Sequence, residues 1–150
     1  VATFRKHFIA FILVLIGVSG CNKDANTSPS NPPFMSANCN STVISFIGTV
    51  KVVSSQYTIN GTSSGNSTVQ IQFTAPGTGT YRLGFGQALF NSPTGESWQT
   101  SNISDTGAVI ISALTANSIT GTFSFTGLET KPTLNGSTLS VSSGSFYLTW

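Results

Sequence analysis

The sequence predicts an all-β domain, an antiparallel β-sandwich or partly closed barrel of about eight strands, behind a signal peptide and a flexible tether. Three observations predict it. Apolar residues recur with period two, as in Val69-Gln-Ile71-Gln-Phe73 and Ile119-Thr-Gly-Thr-Phe123-Ser-Phe125, the spacing of strands that bury one face and wet the other. Clusters of Gly, Asn and Pro interrupt these runs at short intervals. Composition disfavours helix: charged residues make up 7% of 150, while 44 are Ser or Thr, and long solvated helices and coiled coils need Glu, Lys and Arg. Eleven Phe and 39% apolar residues argue against simple disorder.

Residues 1–20 read as a signal peptide. Arg5, Lys6 and His7 form a cationic start, Phe8 to Val18 an apolar run, and Ser19-Gly20-Cys21 a small-residue close, the order of a secretory signal. As a helix the run would span about 16 Å, against a hydrocarbon core of about 30 Å, so it is too short for a comfortable transmembrane anchor. Val18-Ser19-Gly20-Cys21 resembles the bacterial lipobox. That resemblance implies diacylglycerol on the Cys21 sulfur, cleavage before Cys21 and acylation of the new N-terminus, with no other cofactor expected. Residues 21–33 then form the lipidated Cys and linker: NKDANTSPSNPP carries three Pro and no large apolar side chain, a tether composition. Residues 34–150 form the domain.

Within it, strands are expected at about 34–38, 42–53, 56–60, 69–73, 79–85, 107–114, 119–126 and 138–149. Turns are expected at Asn60-Gly61, Ser64-Gly65-Asn66, Ala75-Pro76-Gly77, Asp105-Thr106-Gly107 and Asn135-Gly136. The stretch 86–102 is the least regular and is expected to be a long loop containing Trp98. The expected core is Phe46, Val69, Ile71, Phe73, Tyr81, Leu83, Val109, Ile111, Phe123, Phe125 and Phe146. Few Lys or Pro guard the expected edge strands, so strand-to-strand association with a partner or a second copy is an expected mode.

Phe34-Met-Ser-Ala37, Gly79-Thr-Tyr81-Arg-Leu83, Gly107-Ala-Val-Ile-Ile-Ser112, Ile119-Thr-Gly-Thr-Phe-Ser-Phe-Thr126 and the closing Gly144-Ser145-Phe146 resemble a family of small uncharacterised lipoproteins of Bacteroidota. The resemblance implies an all-β lipoprotein of the envelope and transfers no functional residue. The chain departs from it at Asn38-Cys39-Asn40-Ser41, where such relatives tend to carry a Val-Asn-Gly-like turn.

Chemistry is sparse. His7 is the only histidine and leaves with the signal peptide, which removes Ser-His-Asp and Cys-His constellations and histidine metal ligands. From Cys21 onward Lys23, Lys51, Arg82 and Lys131 balance Asp24, Glu96, Asp105 and Glu129. No basic stripe invites nucleic acid, and the acids are too scattered for a calcium cage. Glu96, Asp105 and Glu129 are the only acids for a glycosidase pair, and each sits by a turn or in a loop; a Ser-Lys pairing through Lys51 or Lys131 is a weaker option. No catalytic residue and no metal ligand is assigned. Cys39 reads as a small buried hydrophobe. Trp98, in its polar surroundings, is the first candidate for ligand binding, and Tyr81, more readily a core residue, the second. Tyr57, Tyr147 and Trp150 complete the aromatic set. The expected role is a non-catalytic envelope lipoprotein, a structural or binding module, with a surface hydrolase of glycans or peptides as the alternative. Its expected partners are the outer membrane through the lipid anchor, on the periplasmic side or the cell surface, and a protein or neutral glycan; no nucleic acid is expected.

Overall fold

Period-two patterning resolves into ten strands: β1 (Phe34–Cys39), β2 (Thr42–Val53), β3 (Gln56–Ser63), β4 (Thr68–Thr74), β5 (Gly79–Arg82), β6 (Ala88–Asn91), β7 (Ser97–Gln99), β8 (Gly107–Leu114), β9 (Ser118–Glu129) and β10 (Thr138–Thr149). The structure is a computed structural model and describes residues 32–101, 106–130 and 136–150. The signal peptide, Cys21 and all of the tether but Pro32 and Pro33 lie outside the described residues, as do parts of the turns expected at 105–107 and 135–136.

All pairings are antiparallel, and the order β10-β1-β2-β3-β4-β6-β7-β9 returns to β10 through the β9–β10 ladder. Of the two architectures expected, the chain adopts the barrel, closed by eight strands. β5 and β8 extend it. β8 pairs with β9 along Ile119–Phe125, while β7 takes Leu128 and Glu129 on the same edge. β5 pairs with β8. β5 and β6 thus form one interrupted stave, and β7 and β8 another. The interruptions are stitched by Thr100, whose side chain is fully buried: its hydroxyl donates to Gly84 O at 2.6 Å and accepts from Ala88 N–H at 3.1 Å.

Closure settles the edge question raised by the sequence. The first and last strands, which a sandwich would leave open, pair with each other from Phe34↔Tyr147 to Cys39↔Val141. The order ends only at β5, four residues long and carrying Arg82. A short, charged edge is a poor template for pairing.

The hairpins follow from turn chemistry. Asn40-Ser41 and Ser54-Ser55 both take positive φ at both positions, 45° and 71°, then 50° and 66°. That is the φ signature of the two-residue turn whose twist matches the flanking strands. The departure at Asn38-Cys39-Asn40-Ser41 therefore still makes the first hairpin.

An eight-stranded barrel has an interior just wide enough for side chains to fill, and here they fill it. Met35, Ile59, Ile71, Val109, Ile111, Ile119, Val141, Phe146 and Leu148 are among its most buried members. Every expected core residue is buried except Tyr81, which is half-buried. The outer face carries mostly Ser and Thr, the reverse of the polar-inside, apolar-outside pattern of a membrane-spanning barrel. No helix among the described residues is long and apolar enough to cross a membrane.

Two expectations are corrected. Asn60-Gly61 is not a turn: both lie inside β3, where Gly61 pairs with Val69. A Cβ on Gly61 would meet Met35 Sδ at 2.9 Å and Phe46 Cβ at 3.0 Å, so the glycine serves close packing in the interior. The stretch 86–102 is not a long loop either. It holds β6 and β7, whose Phe90↔Trp98 pairing helps close the ring; strands of four and three residues are too short for alternation to reveal.

Cys39 lies in the core at 6% exposure, and burial pushes its thiol up to about 11. In a Cys21→Ser chain, Ellman's reagent at about pH 8 should find no reactive thiol until denaturant opens the barrel, and one thereafter. Prompt reaction in the native protein would place Cys39 elsewhere.

Candidate functional site

With the interior filled, the recesses along β5, β8, β9 and β10 face outward. On β8, Val109 and Ile111 point into the core, which turns Ala108 and Ile110 out. On β9 the same alternation turns out Thr122 and Ser124. β10 contributes a bulge: its register against β9 shifts between Val141 and Gly144, and Ser143 takes φ 50°. A bulge bends a strand and steepens its twist. Gly144 permits it, since a Cβ there would lie 2.6 Å from the Phe123 ring.

The result is an open groove of about 460 Å³ across β8, β9 and β10. Ile110 and Ala108 supply apolar surface, Phe123 lies beneath as part of the floor, and Thr122, Ser124, Ser143 and Ser145 supply hydroxyls. Two hollows adjoin it. One of about 170 Å³ is edged by Thr106, Thr126, Ser140 and Ser142. The other, of about 320 Å³, is edged by Thr80, Arg82 and Gly107. Ser124 borders all three. Arg82 is the one charged residue lining them, so the surface suits a ligand that is largely neutral and partly apolar.

The residues singled out from the sequence lie elsewhere. Trp98 sits in β7 opposite Phe90, with ring centroids 6.0 Å apart, packed against the core. Its indole N–H donates to Ser137 Oγ at 3.1 Å, and Ser137 Oγ donates to Glu129 Oε2 at 2.7 Å. It caps one end of the barrel. Tyr81 lies near the other end, tilted against Phe73 at 6.0 Å, its hydroxyl donating to Gly77 O at 2.8 Å. Tyr57 is buried there, stacked on Phe73 at 5.4 Å with Trp150 edge-on at 6.2 Å. The structure therefore does not bring Trp98 and Tyr81 together.

The described carboxylates are engaged locally. Ser92 and Thr94 hydroxyls donate to Glu96, which holds its carboxyl below the usual range. Glu129 accepts from Ser137. No group of three or more His, Cys, Asp or Glu that could hold a metal occurs among the described residues.

Residues 31–149 match a family described as Domain of unknown function (DUF6252). The chain belongs to that family. No curated protein and no solved structure matches it. In this DUF6252 domain the groove residues escaped the sequence reading because serine and threonine are everywhere on the outer face. One signal was available: Ile110, an outward isoleucine beside outward Ala108, breaks the polar pattern of a wet face.

Trp98→Ala should lower stability by roughly 2–4 kcal/mol in a denaturant melt, because it opens the end of the core. Trp98→Phe should retain most of that stability. A melt of Trp98→Ala superimposing on the parent's would show that the indole does not cap the barrel.

Proposed function

We propose that this chain is a non-catalytic lipoprotein of the bacterial envelope, of the Bacteroidota kind that its strand motifs resemble, anchored through acylated Cys21 and held to the outer membrane. On this reading its barrel is a binding module. The observation that carries the reading is the outward groove centred on Ser124, beside a core filled with side chains. A site built from hydroxyls, small apolar groups and one cation offers hydrogen bonds and contact area, with no acid–base pair among its lining residues. A protein segment fits it better than a sugar. Sugar recognition uses exposed aromatic platforms, whereas Trp98 and Tyr81 pack against the core. A surface hydrolase acting through Glu96 or Glu129 is the weaker alternative, since local hydroxyls occupy both carboxylates.

Ser124 points outward from the middle of β9, so a large side chain there fills the groove without entering the core. A pull-down from native envelope with Ser124→Trp should lose the partner that the parent captures, at unchanged melting temperature. With one lining cation, capture should change little between low and physiological salt, since few ion pairs are there to be screened. Capture that survives Ser124→Trp would move the site elsewhere. The anchor has its own test: Cys21→Ser should abolish labelling by a palmitate analogue, and normal labelling of that variant would remove Cys21 as the anchor.

A further inference from the structure

The barrel has two unlike ends. One carries the turns at 40–41, 64–67 and 92–96; the other carries the turns at 54–55, 75–78 and 115–117 together with the start of β1. The tether enters at this second end, through Pro32 and Pro33. Of the large apolar side chains exposed among the described residues, Val43 lies by the first end and Phe85 and Ile110 lie elsewhere, while four lie at the second end or on the adjoining side formed by β10, β1 and β2. Ile47 is 80% exposed, Val53 54%, Trp150 44% and Phe34 42%. Phe34 stands opposite Tyr147, and one step beyond the Met35↔Phe46 pair it comes beside Ile47. Lys51 and Val53 continue the outward row toward the tip of the β2–β3 hairpin. The side-chain carboxylates among the described residues, Glu96 and Glu129, are at the far end.

Aromatic rings, aliphatic side chains and a lysine on one rim, with acids at the opposite end, form the pattern that partitions into a lipid headgroup layer. We infer that this end rests on the bilayer: Phe34, Val53, Lys51 and Trp150 sit in the interfacial layer, and the acidic end faces away from it. The inference rests on the proposed anchor at Cys21. From Cys21 to Phe34 the chain can reach at most about 45 Å when fully extended, which keeps this end near the surface at high effective concentration, so weak individual contacts suffice. The occupant is a phospholipid surface, and it binds through a patch separate from the groove.

The test supplies the anchor chemically, so that it does not depend on lipidation in the cell. The chain from Cys21 onward is coupled through that thiol to a maleimide lipid, Cys39 being buried. The vesicles are phosphatidylcholine with a minority of phosphatidylglycerol and brominated acyl chains. Two proteins are compared: Trp98→Phe, which reports from Trp150, and Trp150→Phe, which reports from Trp98. Bromolipid should quench Trp150 emission about twofold, with a blue shift on vesicle binding, and leave Trp98 nearly unchanged, as expected of an interfacial ring. Phe34→Ser combined with Val53→Ser should abolish the Trp150 quenching at unchanged melting temperature. Equal quenching of both rings, quenching of neither, or a stable dimer of the free protein that shields Trp150 would each overturn the inference. Failure of palmitate labelling at Cys21 in the cell would instead remove the anchor, and that result is read separately.

Discussion

Closure of the sheet is the constraint on which the rest depends. β10 pairs with β9 on one side and with β1 on the other, joining the two ends of the domain's chain in one ring. Eight strands leave room inside for side chains and little else. Closure therefore decides three things together: the edges that would invite other strands are paired, the interior is a packed core, and the recesses described on β8, β9 and β10 lie on the outer surface.

That outer surface is unusual in being polar almost without charge. Ser and Thr satisfy the wet face of the strands while keeping net charge near zero, and hydroxyls also do the local work that ion pairs do elsewhere. They hold Glu96 and Glu129, stitch the broken staves through Thr100, and join Trp98 to Ser137. No buried side-chain nitrogen or oxygen among the described residues lacks a partner. Among the described residues, the buried apolar interior and a continuous ladder are what hold the ring together.

Much of the fold was legible because alternation is a local signal with a single meaning once one face is buried. The long strands β2, β8, β9 and β10 followed from it, and the core residues expected from it are buried, Tyr81 apart; Met35, Ile59, Ile119 and Leu148, among the most buried of all, were not among those expected. Barrel against sandwich was not legible, because the pairing of β1 with β10 joins residues about a hundred positions apart and leaves no local mark. Asn60-Gly61 misled for a related reason: the dipeptide favours a turn, yet Gly61 is needed where Met35, Phe46 and Val69 converge across strands. Trp98 looked like a ring in a polar loop since its partners, Phe90 and Ser137, come from other strands or distant sequence. The groove was hidden for the opposite reason. Its hydroxyls resemble every other hydroxyl on the wet face, and the bulge at Ser143 that shapes it has no distinctive sequence.

The two outer features divide the labour. In the proposed reading the rim at the tether's end is the surface for lipid, and the groove on β8, β9 and β10 is the surface for a partner. Both need the ring intact. Native-state amide hydrogen exchange tests that most directly. Closure requires the bonded amides of β1 and β10 to exchange only through global opening, as slowly as those of the central β9 ladder. Fast exchange along Phe34–Cys39, with β9 still protected, would contradict it and leave an open sheet.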